Sequence, residues 1–184
     1  MKHIIVFLFL GVLLISCNPE KKYAAEIQEI EKYETSLDSL VSVYNSIKFD
    51  SLTYIQSTAS QAEKMIKMHY TADTISMDLG ERLRFIKSVR KSLGSIDVKK
   101  KSLKRELRML KEQFATLKID VQEGLYGRSQ IDEYLLAEKK AYENLTENLN
   151  TVLDNQKKQL HDFNYAYPTV REYIELINPT DNQD

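Results

Sequence analysis

The chain is 184 residues long, with 26 Lys and Arg against 27 Asp and Glu, a net charge of −1, one cysteine and no tryptophan. A single cysteine excludes an internal disulfide framework. Five glycines and three prolines leave too few turn formers for a β architecture, while apolar residues recur at helical spacing among abundant charges, so the composition predicts an all-α protein.

Met1-Lys2-His3 opens the chain, and an uncharged apolar run from Ile4 follows, closing on Leu14-Ile15-Ser16-Cys17. As a helix this run reaches roughly 18 Å at about 1.5 Å per residue. A membrane-spanning helix needs roughly 20 residues. A basic start, a short apolar stretch and a small residue at its end describe a secretory signal peptide. Leu14-Ile15-Ser16-Cys17 resembles the lipobox of bacterial lipoproteins. That resemblance implies a diacylglyceryl group on the Cys17 thiol, cleavage before the cysteine, and acylation of the new amino group with a chain such as palmitate. It also explains why the only cysteine stands here. One acyl chain binds a membrane marginally, whereas two or three, at about 0.8 kcal/mol per buried CH₂, hold firmly. On this reading residues 1–16 are removed, residues 17–178 form a single helical-bundle domain, and 179–184 are a disordered tail. Asn18 follows Cys17, where the inner-membrane retention signal of enterobacterial lipoproteins has Asp. Glu20 stands alone before Lys21 and Lys22, unlike the acidic cluster of a surface-export signal. An outer-membrane, periplasm-facing protein is expected. Its Tyr, Asn, Ile and Lys usage resembles small all-helical Bacteroidota lipoproteins of unknown function.

Beyond the anchor, Asn18-Pro19-Glu20 supplies an N-cap type, a proline for the first helical position and a first-turn acid. Ile30, Tyr33, Leu37, Leu40, Tyr44 and Ile47 then alternate spacings of three and four, as coiled-coil seams do. Lys48-Phe49-Asp50 breaks the phase, predicting a kink before it resumes through Leu52, Ile55, Ala59, Ala62, Ile66 and His69. Residues 70–76 read as a turn. A second stripe runs Leu79, Leu83, Ile86, Val89, Leu93, Ile96 and on through Leu103, Leu107, Leu110, Phe114, Leu117 and Val121. Gly94 costs about 1 kcal/mol inside a helix, but the phase crosses it, predicting one long helix. Gly124-Leu-Tyr-Gly127 ends that helix, and Ser129-Gln-Ile-Asp132 reads as a capping-box start. The next helix carries Ile131, Leu135, Tyr142, Leu145, Leu149, Val152, Leu160, Phe163 and Tyr167. Pro168 predicts a stop and a short final helix before Asn178-Pro179. Rods over 19–70, 76–123 and 129–167 would measure about 78, 72 and 58 Å. Short turns favour antiparallel neighbours, so the expected fold is an elongated antiparallel helical bundle or coiled coil of about three long helices, the first kinked, plus a short C-terminal one.

Charge is distributed unevenly. Residues 82–118 carry 13 Lys and Arg against 3 Asp and Glu, a net of +10, whereas residues 119–184 carry 6 against 13, a net of −7. Lys99, Lys100, Lys101, Lys104, Arg105 and Arg108 are therefore either a patch for an anionic polymer or the charges that set helix pairing. Lys100 falls on the apolar stripe itself, where it can snorkel or fix register. No aromatic interleaves this run to stack bases, and no nucleic-acid partner is expected. His69 and His161 lack the Glu-x-x-His repeats of a helical metal site. No nucleophile, acid–base pair or phosphate-cradling loop stands out, so neither catalytic nor metal residues are assigned. Tyr126, Tyr165, Tyr167 and Tyr173 lie near turns or the chain end, where aromatics can anchor a partner. Asn144-Leu-Thr146 matches a glycosylation acceptor, which a bacterial protein leaves unused. The expected function is a lipid-anchored envelope module for structure or protein interaction, without catalysis and with no cofactor beyond the lipid on Cys17. Its partners would be the membrane and an envelope protein, with self-association through the heptads. The alternative is binding of an anionic envelope polymer or lipopolysaccharide by the basic helix 82–118.

Overall fold

Seams of apolar residues three and four apart can be buried only by other helices, and the computed structural model is helical throughout its ordered elements, with no strand among the described residues. It describes residues 19–71 and 74–178. Cys17, the leader before it and the tail 179–184 lie outside them. In chain order the helices are α1 (Pro19–Lys22), α2 (Ala24–Ser46), α3 (Phe49–His69), α4 (Met77–Ser92), α5 (Ile96–Gln122) and α6 (Arg128–Ile177). No helix among the described residues is long and apolar enough to cross a membrane.

The phase break read at Lys48-Phe49-Asp50 coincides with the interruption between α2 and α3. Two other boundaries differ from expectation. Ser92 and Ile96 belong to separate helices, so the helix predicted to run through Gly94 is broken there. Leu93, at φ −98° and ψ 2°, sends its N–H back to Val89, and the Gly94 and Ile96 N–H groups bond three residues back, to Lys91 and Leu93. Conversely, the separate C-terminal helix does not exist: α6 passes straight through Pro168. Proline removes one intrahelical donor and crowds the preceding turn. Ala166 and Val170, both fully buried, hold the helix against its neighbours on either side of the proline, and Arg82 donates from Nη1 to the nearby Tyr165 carbonyl at 2.8 Å.

Local chemistry explains the remaining ends. Ser76 caps α4 by accepting from the Leu79 N–H at 3.3 Å. Gly124, at φ 71°, closes α5 with bonds from Gly124 to Val121 and from Leu125 to Asp120, the left-handed C-terminal geometry that glycine adopts without strain. The start of α6 lies earlier than the Ser129–Asp132 box: Gly127 is the cap, and Gln130 reaches back to its N–H at 3.1 Å.

The residues group into two compact units, neither contiguous in sequence: residues up to Ser39 with Arg108–Glu143, and Leu40–Leu107 with the segment from Asn144. In the first unit, Phe114 is fully buried and stacks on Tyr33, with centroids 5.4 Å apart, and Tyr33 meets Tyr142 edge-on at 5.2 Å. Around them lie Ile30, Leu37, Leu110, Leu117, Val121, Ile131 and Leu135. Asp38 pairs with Lys111 and Glu34 with Lys118, so α2 and α5 run in opposite senses. Glu26 pairs with Arg128 and Glu29 with Lys139, so α2 and α6 run in the same sense.

In the second unit, Phe49, Leu52, Ile55, Ala59, Ala62 and Ile66 of α3 pack with Leu79, Ile86, Val89 and Leu93, and with Leu145, Leu149, Val152, Phe163 and Val170. Three polar residues of α6, Gln156, Gln159 and Asp162, are buried here as well. Gln156 accepts the Lys48 N–H at 2.5 Å, satisfying a backbone donor left free by the α2–α3 interruption. Gln159 donates to Asn155, which exchanges hydrogen bonds with Ser92 at the end of α4. Thr53 to Asp97 at 2.8 Å and Lys100 to Asp50 at 2.8 Å join the starts of α3 and α5. Both helix interruptions of this unit are thus tied to each other and to one polar stretch of α6.

Candidate functional site

The most charged segment of the sequence lies on α4 and α5, and the structure divides its residues by what they face. Arg90 reaches Glu63 of α3 at 2.5 Å, and Lys67 joins the same carboxylate at 2.7 Å. Those two bonds, the Lys67 one foremost and against the opposing effect of burial, hold the Glu63 carboxyl below the usual range. Lys100 bonds Asp50, lies 5.8 Å from the Phe49 ring centre and accepts at its carbonyl from the Tyr44 hydroxyl at 3.2 Å. The Asp50 bond raises the affinity of its ammonium for the proton. Its position on the apolar stripe is explained: the alkyl stem crosses the α2–α3 interruption, beside a shallow groove of about 390 Å³, and the charge emerges next to Asp50.

Lys99, Lys101, Lys104 and Arg105 differ. All four are exposed, and none forms an ion pair among the described residues. Lys101, Lys104 and Arg105 follow spacings of three and four and so share the helix face away from Leu103 and Leu107, next to Val98, which is 69% exposed. Arg108 belongs to the first unit and lies 3.9 Å from Glu112, a loose exposed pair of little energetic weight. Of the six predicted residues, Lys100 serves packing, Arg108 has only its loose pair with Glu112, and the other four form no ion pair among the described residues.

The pairing partners of the basic segment were not legible from segment totals. Its acids come from α2 and α3 (Asp38, Glu34, Asp50, Glu63), not from the strongly acidic residues 119–184. What decides is register along neighbouring helices.

The four tyrosines near turns each pack on a different aromatic neighbour. Tyr126 sits in the first unit, edge-on to Tyr134 at 5.0 Å. In the second unit, Tyr165 packs against Phe85 and under the Arg82 guanidinium, 3.7 Å from its ring centre. Tyr173 faces Tyr70 at 5.9 Å. Tyr167 stacks on Phe163 at 4.7 Å and borders an open groove of about 460 Å³ with Ala62, Met65, Met68 and Ile174. Burial, with Tyr54 adding to it, pushes the Tyr167 phenol up.

His69 is half-buried at the end of α3, and His161 is exposed, 3.5 Å from the buried Asp162 carboxylate that Lys158 also contacts. No group of three or more His, Cys, Asp or Glu among the described residues could hold a metal ion. Compared with family models, curated proteins and solved structures, the chain matches none.

Proposed function

We propose that this protein is a lipid-anchored helical interaction module of the bacterial cell envelope, tethered through Cys17 to the periplasmic face of the outer membrane and without catalytic activity. The observation that carries this reading is Leu14-Ile15-Ser16-Cys17 behind a short apolar run, in a chain with no other cysteine. The helical architecture is consistent with it, and so are surfaces that offer shallow grooves and charged faces in place of an enclosed site. In this reading α2 with α3, α4 with α5, and α6 form an elongated antiparallel bundle with coiled-coil seams, presenting its faces to an envelope protein or to a second copy of itself. Nucleic acid has no part in it, and the covalent lipid is the only added group. Cys17→Ser tests the anchor. The natural chain should sediment with membranes and carry acyl mass on Cys17, and the variant should appear in the soluble periplasmic fraction. A variant still found unprocessed in the membrane pellet would sink the reading.

A second reading is favoured by the four unpaired cations of α5: the module binds an anionic envelope polymer or lipopolysaccharide. Retention on immobilised lipopolysaccharide should fall steeply with salt, because exposed charges are screened within about 10 Å at 0.1 M ionic strength. Charge reversal at Lys101, Lys104 and Arg105 should abolish retention without unfolding the chain, since none of the three holds a partner in the fold. Unchanged retention would reject this use of the basic face.

A further inference from the structure

Four carboxylates of α2 that flank the helix seams of the first unit each have a cation from a neighbouring helix. Glu26 has Arg128, Glu29 has Lys139, Glu34 has Lys118 and Asp38 has Lys111. Glu138 of α6 has none: its Oε2 is buried without a hydrogen-bond partner, and no charged side chain compensates it. It borders an open surface groove of about 280 Å³, also lined by Leu117 and Asp120 of α5, Tyr126 of the α5–α6 connection and the exposed Tyr134 of α6. Tyr126 and Tyr134 meet edge-on there, centroids 5.0 Å apart. Asp120 is already committed, accepting from the Tyr126 hydroxyl at 3.1 Å, which fixes that ring against the groove.

We propose that this groove is a binding site for an organic cation, a primary ammonium or guanidinium group, with Glu138 as its counter-ion and the Tyr126 and Tyr134 rings as its aromatic wall. Three independent features converge on that chemistry. Aromatic faces attract cations within about 6 Å of a ring centre, by about 0.5–1 kcal/mol at exposed sites. A carboxylate with one shielded, unpartnered oxygen is partly desolvated, and an incoming cation offsets that cost. The volume lies just below the roughly 300 Å³ at which pockets for drug-sized molecules begin, so it suits a single cationic head group on a short stem. Burial also pushes the Glu138 carboxyl up, in keeping with a site that lacks its counter-charge. In the groove beside Glu26, Glu29 and Lys139, by comparison, two carboxylates have cations from α6. This inference does not depend on the lipid anchor or on the basic face of α5.

The test is a titration of the full chain, purified as the cell makes it, with butylammonium and with the neutral isostere butanol, read by calorimetry and by the ring resonances of Tyr126 and Tyr134. Butylammonium should saturate in the millimolar range and shift both rings, and butanol should do neither. Glu138→Gln keeps the shape of the side chain and should weaken butylammonium by about tenfold or more, and Tyr134→Leu should weaken it by less. If butanol binds as well, if neither ligand saturates, or if Glu138→Gln leaves the affinity unchanged, the site is refuted. The tripeptide Gly-Lys-Gly separates two sources of the same cation. Tighter binding than butylammonium assigns the site to a lysine of a partner chain, and equal or weaker binding assigns it to a free amine.

Discussion

The two units solve the same packing problem with different materials. Where α2, α5 and α6 run side by side in the first unit, the seam is closed by Phe114, Tyr33, Leu37 and Leu117, and polarity is confined to ion pairs on the flanks. The second unit buries Gln156 and Gln159 in the corresponding seam of α6. The difference follows from backbone chemistry. An unbroken helix satisfies its own N–H and C=O groups, so its neighbours can be wholly apolar. An interrupted helix leaves donors and acceptors that need partners if they are shielded from water. Ser46 to Phe49 and Ser92 to Ile96 are two such interruptions: Gln156 takes the Lys48 N–H at the first, and Asn155 bonds the Ser92 side chain at the second. Buried amides in this protein mark where the chain stops being helical.

The sharpest way to break that contrast is to damage each unit with the substitution it should tolerate least. Phe114→Ala removes a fully buried ring from the apolar seam and leaves Tyr33 without its stacking partner. It should cost about 3–5 kcal/mol in urea unfolding. Gln156→Leu makes the second seam more apolar, yet should destabilise by about 1–3 kcal/mol, because the Lys48 N–H loses its acceptor. A neutral or stabilising result would mean that the amide layer does not support the interruption, and the distinction between the units would fail.

This contrast also explains what could be read from the sequence. Spacing alone located the seams: Ile30, Leu37, Leu40 and Ile47, then Leu52 through Ile66, then Leu103 through Val121 are buried as the heptad phase requires. It failed where a core position is polar. The α6 stripe runs Val152, Gln156, Gln159, Phe163, Ala166 and Val170, but an apolar reading skips both glutamines and picks up the half-buried Leu160 instead. Gly94 and Pro168 were misjudged for a related reason. Whether a helix crosses a weak residue depends on packing against segments distant in sequence, and Asn155 faces Ser92 at one of these points while Ala166 and Val170 are buried at the other. The basic segment was visible as a charge excess, but its division into paired and unpaired residues depends on register. The groove at Glu138 carries no sequence signal at all. One glutamate among many becomes distinctive only because the fold shields one of its oxygens and gives it no partner.

Gly94→Ala sharpens the account of the second unit with a smaller effect of opposite sign. Gly94 does not have the positive φ that would require glycine. A Cβ there would meet the Arg90 and Lys91 carbonyls at 3.5 Å, ordinary contact. The alanine variant should therefore be more stable by about 0.4–1 kcal/mol, through a less flexible unfolded chain. If the interruption is held by Ser92, Asn155 and the Thr53–Asp97 bond, the helix boundary should stay in place. Amide exchange at residues 93–95 would then remain fast, whereas slow exchange across all three would show that glycine alone broke the helix.

The smallest effect concerns Glu138 in the first unit. Burial holds the Glu138 carboxyl above its ordinary value of 4.5, so the folded chain binds this proton more tightly than the unfolded chain. The sign follows from linkage: the folded state is favoured by this group at acid pH, and that advantage is lost as pH rises from 4.5 through the raised value. Above it, the fold carries an ionised carboxylate that nothing neutralises. Glu138→Gln removes the titration and should stabilise the protein at pH 7 by a few tenths to about 1 kcal/mol, the lower end reflecting partial solvent screening. Below pH 4.5 the difference should disappear, because both chains then carry a neutral side chain. All other carboxylates are common to both chains and cancel in the comparison. A gain that does not change with pH would place the cause in packing and remove Glu138 from the electrostatic argument. A gain present at neutral pH and erased by butylammonium would tie the same residue to both effects: the fold tolerates an unpaired charge at a position where a bound cation completes it.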